Sequence, residues 1–107
     1  MATTLTNDPV LDRFRKALND MYGNRLDRVV LFGSRARGDA RDESDYDVAV
    51  FLRDMDDRAT ELYRLADLST GLLDETGIFV HAMPYRAGAD DERTPLMLGI
   101  RADDIDL

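Results

Sequence analysis

Two aspartates one residue apart, Asp45 and Asp47, stand at the head of an apolar run in VLFGSRARGDARDESDYDVAVFL, residues 30–52. Side chains two apart on a strand point to the same face, so the pair would project both carboxylates together. Two anions that close repel one another, and one of them takes up a proton unless a cation neutralises both. A hard divalent cation such as Mg²⁺ suits the task. It prefers carboxylate oxygens and keeps positions free for water or phosphate. The plain alternative is a solvated strand start that happens to carry two aspartates. Against it, strands disfavour Asp, and VAVFL after Asp47 reads as buried.

Upstream of the pair, Gly33 and Ser34 follow an apolar run. Glycine directly after a strand permits a tight turn and lets a ligand approach the backbone. Ser34 adds a hydroxyl, and a turn there would present backbone N–H groups to an anion. Arg35, Arg37 and Arg41 fall within seven residues of one another. They form either a local positive loop for a small anion or a solvated, salt-bridged loop. Other phosphate and metal motifs do not match. The Walker spacing and its lysine are missing, the dinucleotide fingerprint lacks its middle glycine, and DARDESDYD has no glycine at the sharp turn of an EF-hand.

These residues need elements to hold them. NDPVLDRFRKALNDMYG reads as a first helix, with Asp8 as cap, Pro9 in the first turn and Gly23 as stop. Its apolar stripe is Val10, Leu11, Phe14, Leu18 and Met21. DRVVLFG and YDVAVFL are short, β-rich runs. DDRATELYRLADLSTGLLDETG reads as a second helix with its inward face at Ala59, Leu62, Ala66, Ser69 and Leu73. Gly71 is a weak point inside it, and Gly77 lies just past its end. IFVHAMPY is a third strand, ended by Pro84. A loop, RAGADDER, leads to TPLMLGIRADDIDL, a Thr-Pro helix start whose last residues are helical or frayed. The order α-β-β-α-β-α argues for an α/β (α+β) fold, a small sheet with helices covering it.

The bulk numbers set limits. At 107 residues, 44% of them hydrophobic, residues 1–107 are expected to form a single domain with a real core. The chain has no cysteine, which excludes disulfides and thiolate metal sites. The formal net charge of −8 disfavours non-specific nucleic-acid binding. No window approaches a membrane span, and the N-terminus MATTLTNDPV does not look like a signal peptide, so a cytoplasmic location without membrane association is expected.

LFGSRARG, ten intervening residues from Ser34 to Asp45, and then DYDV closely resemble the signature of the DNA polymerase β-like nucleotidyltransferase superfamily. The small size, the GSRARG form and the ending TPLMLGIRADDIDL look most like its minimal nucleotidyltransferase branch. The motif covers about a fifth of the chain, and the element order fits its whole length. The resemblance implies a small mixed β-sheet flanked by helices. Gly33 and Ser34 would hold a nucleoside triphosphate, ATP by expectation, with Arg37 touching phosphate or bracing the loop. Asp45 and Asp47 would be the catalytic carboxylates holding Mg²⁺. The chemistry implied is in-line attack of a hydroxyl on the α-phosphate with release of pyrophosphate, two metals stabilising the entering and leaving oxygens.

The resemblance also implies a third carboxylate on a later strand, and here the chain departs from it. The candidate strand, GIFVHAMPY, has no Asp or Glu. Phe79, His81 and Met83 share a face by alternation, so His81 is the polar residue placed to substitute. Histidine can serve as a general base but is a poor Mg²⁺ ligand, and a lone His in an apolar strand is commonly structural. Glu75, Asp90, Asp91 and Glu92 are the other acids considered for the role. Two functions follow. One is an antitoxin that transfers AMP or another NMP to a hydroxyl on a partner such as a HEPN-type toxin. The other is a catalytically weakened binding module that neutralises or scaffolds such a partner by contact.

Overall fold

The computed structural model describes residues 9–32, 46–89, 94–95, 97–98 and 105–107. Helix α1, Pro9–Tyr22, starts with Pro9, whose missing N–H costs nothing in a first turn. It buries Val10, Leu11, Phe14, Leu18 and Tyr22. The strict four-residue step from Val10 brings Tyr22 into the core, and Met21, placed in the stripe by the sequence, is 39% exposed. Gly23, with φ of +53°, ends the helix and begins a short 3₁₀ turn, Gly23–Arg25.

Strand β1, Leu26–Phe32, pairs antiparallel with β2, Tyr46–Leu52. Helix α2, Arg58–Thr76, crosses over to β3, Val80–Arg86, which lies parallel to β2. A fourth strand, β4, Ile105–Asp106, pairs antiparallel with β1, giving the order β3-β2-β1-β4. The mixed sheet and its helices are the architecture expected of a polymerase β-like nucleotidyltransferase. The chain's end differs from expectation. A helical turn starts at Thr94, whose Oγ1 accepts from Met97 N at 3.2 Å and whose carbonyl accepts from Leu98 N at 2.9 Å. The last residues add a strand, with Leu107 N donating to Val29 O at 2.9 Å. A short segment can be strand when an edge such as β1 offers unpaired backbone groups, and Leu107 packs against the core.

Alternation divides the sheet. Val29, Leu31, Val48, Val50, Leu52, Val80 and Ala82 point to the helices and pack with Phe14, Leu18 and Leu65. Val30, Ala49, Phe51 and Met97 form a second apolar cluster on the other face, with Phe32 and Tyr85 against it.

Two local expectations are corrected. Pro84 lies inside β3, in register with Val50. As an edge strand β3 turns alternate peptide groups outward, so the missing N–H breaks no ladder bond, and the Pro84 carbonyl accepts from Arg58 Nε at 3.1 Å. In α2, the buried residues are Glu61, Leu65, Ser69 and Leu72, while Ala59, Ala66 and Leu73 are exposed. The helix has two apolar stripes, and the one bearing the larger side chains, with Leu68, faces the sheet. Asp57 caps its start, accepting from Ala59 N at 3.0 Å, and Gly77 ends it at φ of +76° with N–H to Leu73 O at 2.8 Å. The helix runs through Gly71 without a break.

Glu61 reaches the core because it is fully partnered. It is 4% exposed and accepts from Tyr22 Oη and from Arg25 Nη2, each at 3.0 Å. The Arg25 guanidinium also lies 5.6 Å from the centre of the Tyr22 ring. This network ties α1, the 3₁₀ turn and α2 together beside the start of β1, at the end of the sheet away from Asp47.

Candidate functional site

Three neighbouring strands bring three residues into line. Phe32 closes β1 opposite Asp47 of β2, and Asp47 is in register with His81 of β3. Tyr46 N donates to Phe79 O at 3.3 Å, which fastens the start of β3 to the start of β2. Asp47 shares the face of Ala49 and Phe51, away from the helices. That face is free of α1 and α2 at this end of the sheet, so Asp47 and His81 keep 38% and 55% of their side-chain surface exposed. An exposed strand mouth lets a carboxylate keep its hydration beside a buried run, which resolves the apparent conflict between Asp47 and VAVFL.

His81 Nδ1 stands 3.5 Å from Asp47 Oδ1. That is longer than a hydrogen bond of good geometry. The imidazole is also stacked on Phe79, with ring centres 6.3 Å apart and planes 24° apart. The alternation that pairs Phe79, His81 and Met83 is therefore as the sequence implies. Of the other acids considered, Glu75 is excluded by position. It lies on α2 and pairs with Arg13 of α1, away from Asp47. Gly33, Ser34, Arg37, Asp45, Asp90, Asp91 and Glu92 lie outside the described residues, as do Arg35 and Arg41.

The donor set can be tested against Mg²⁺. Asp47 supplies a hard oxygen, which fits. The group facing it supplies an imidazole nitrogen, which does not. Among the described residues, no three His, Asp or Glu side chains converge to hold a metal ion. As a pair, Asp47 and His81 do not match the ion that the sequence resemblance implies.

The sequence reading did not single out the Tyr22–Glu61–Arg25 network. The signal was present, since Glu61 stands four residues before Leu65 and eight before Ser69 on the face that is buried. A carboxylate on such a stripe calls for buried partners.

Comparison with known proteins agrees with this fold. Residues 11–93 match the family model described as a nucleotidyltransferase domain. Two curated relatives come from Methanocaldococcus jannaschii. "Putative protein adenylyltransferase MJ0141" is 44% identical over 46 residues, 43% of this chain and 46% of its own length. "Putative protein adenylyltransferase MJ0604" is 33% identical over 79 residues, 74% of this chain and 73% of its own length. The chain thus spans under half of the first relative and about three quarters of the second. In structure, it is similar to a "putative nucleotidyltransferase" from Sulfolobus solfataricus, with a TM-score of 0.65 at 21% identity over 91% of this chain and 75% of the other. That likeness speaks for the fold, and the family match covers most of the chain, including both strands that carry Asp47 and His81. The chain belongs to the nucleotidyltransferase domain family.

Proposed function

We propose that this chain is a catalytically weakened nucleotidyltransferase-fold module, which holds a nucleoside triphosphate at Gly33-Ser34 and engages a protein partner by contact. The observation that carries this reading is His81. It occupies the position across from Asp47 where the family resemblance calls for a carboxylate, and an imidazole is a poor Mg²⁺ ligand. Asp45 and Asp47 remain to face the triphosphate, with Arg37 bracing the loop or meeting phosphate.

A second reading has its own support in the printed names of the two curated relatives, both protein adenylyltransferases by description. In that reading the chain is an antitoxin that modifies a HEPN-type toxin. A partner hydroxyl oxygen bonds to the α-phosphorus of ATP, the bond to the β-phosphate oxygen breaks, and pyrophosphate leaves with that electron pair. The hydroxyl proton passes to a base in the site. A divalent cation at Asp45 and Asp47 would supply charge stabilisation at the α-phosphate when bound.

One experiment separates the two. The chain is incubated with α-labelled ATP, Mg²⁺ and the protein encoded beside it, and both label transfer and complex formation are followed. Complex formation that survives Asp45→Ala, with little or no label transferred, supports the weakened module. Label on the partner that Asp45→Ala abolishes establishes the transferase. We expect His81→Asp to raise transfer from its low level, and a loss of existing transfer in that variant would count against His81 facing the reacting phosphates.

A further inference from the structure

We propose that Asp47 and His81 form a mixed oxygen–nitrogen half-site that selects a divalent first-row transition cation, of the Mn²⁺ class, over Mg²⁺. The inference deepens the reading above and rests on Asp47 being a metal-holding carboxylate. Three observations carry it. The two side chains sit in register on adjacent strands, so the backbone holds them together without help from a loop. Their nearest donor atoms, His81 Nδ1 and Asp47 Oδ1, are 3.5 Å apart and make no hydrogen bond that would use up the nitrogen. Ligand distances of about 2.0–2.2 Å place two neighbouring donors of one cation about 3.0–3.5 Å apart, so the pair is spaced to share an ion. The ring presents Nδ1 to Asp47 and keeps a stacked contact with Phe79.

The chemistry of the set decides the ion. Mg²⁺ demands oxygen donors and gains little from imidazole, whereas every first-row transition cation accepts both, with affinity rising along the series from Mn²⁺. Both side chains are substantially exposed, so an ion can enter from solvent.

His81 is the only histidine in the chain, which makes the test direct. Mn²⁺ binding to the full chain, without nucleotide, is followed by loss of the free-ion electron paramagnetic resonance signal in competition with Mg²⁺. Imidazole nitrogen shifts are recorded separately on adding Zn²⁺ as a diamagnetic probe. The expectation is that Mn²⁺ binds about tenfold or more tighter than Mg²⁺. His81→Ala should erase that preference, and His81→Asp should shift it toward Mg²⁺. Zn²⁺ should move the Nδ1 resonance and leave the Nε2 nitrogen protonated. Equal competition by the two ions in the unaltered chain, a preference unchanged in His81→Ala, or a Zn²⁺ shift confined to Nε2 would each overturn the proposal. None of these readouts needs nucleotide or partner, so absence of triphosphate binding would count against the functional reading and leave the metal preference standing.

Discussion

Replacing Glu61 by alanine has a cost that the geometry sets closely. The carboxylate is 4% exposed and accepts two charge-assisted hydrogen bonds at 3.0 Å, from Tyr22 Oη and Arg25 Nη2. The Arg64 contact at 3.5 Å is too long and too exposed to add much. Two hydrogen bonds to a charged acceptor contribute about 1.5–3 kcal/mol each. Arg25 keeps 34% of its side chain exposed and rehydrates when its partner goes, which reduces its share. Tyr22 is 4% exposed and cannot, so its hydroxyl is left desolvated and alone. Removing the buried carboxylate recovers part of its own desolvation cost, and the net loss comes to about 2–4 kcal/mol. For a domain of this size that lowers Tm by about 8–16 °C, measured by circular dichroism on heating, with urea midpoints as a second scale. Glu61→Gln keeps an acceptor for Tyr22 and loses only the charge that Arg25 meets, so it should cost about half as much. A fall in Tm under about 2 °C for Glu61→Ala, or a larger one for Glu61→Gln, would refute the assignment of this network as a stability element.

Two further outcomes are expected. Burial first, and the hydrogen bond and charge of Glu61 next, hold the Tyr22 hydroxyl well above its ordinary value of 10.0. The folded state therefore resists an ionisation that the unfolded chain undergoes near pH 10, so this contribution is intact below that pH and fades as pH climbs above it. Tyr22→Phe should cost about 1 kcal/mol at pH 7, and its deficit should shrink at pH 11, read from urea unfolding at both values. Ser69 is buried on α2 with a hydroxyl that finds no hydrogen-bond partner among the described residues. Ser69→Ala should raise stability by about 1 kcal/mol, a gain in Tm of a few degrees, since it removes an unsatisfied group and improves helix propensity.

The site was partly legible in the sequence because its logic is local. Asp47 takes the face of β2 that alternation assigns to it, and His81 and Met83 take theirs on β3 in the same way. The end of α2 was legible for the same reason, since Gly77 acts on its own backbone. The α2 face was not. That helix offers two apolar stripes, and only packing against the sheet chose Leu65 and Leu72 over Ala59 and Ala66. Glu61 entered the core on the strength of Tyr22 and Arg25, which lie 39 and 36 residues away.

By itself, then, the sequence determined the elements around the site, the face that Asp47 and His81 each occupy on their own strands, and the superfamily to which the motif belongs. Which strands lie side by side was decided by tertiary structure. Parallel pairing of β2 with β3 sets Asp47 against His81 at 3.5 Å, and β1 on the other side sets Phe32 against Asp47. Pro84 could remain inside β3 only because that strand took the edge, and Ile105–Asp106 became β4 only because β1 left an edge to pair with. The physical reason is common to all four. Alternation along a strand is a property of the chain, whereas register and neighbour are settled by burial and backbone pairing across distances in sequence that no local pattern records.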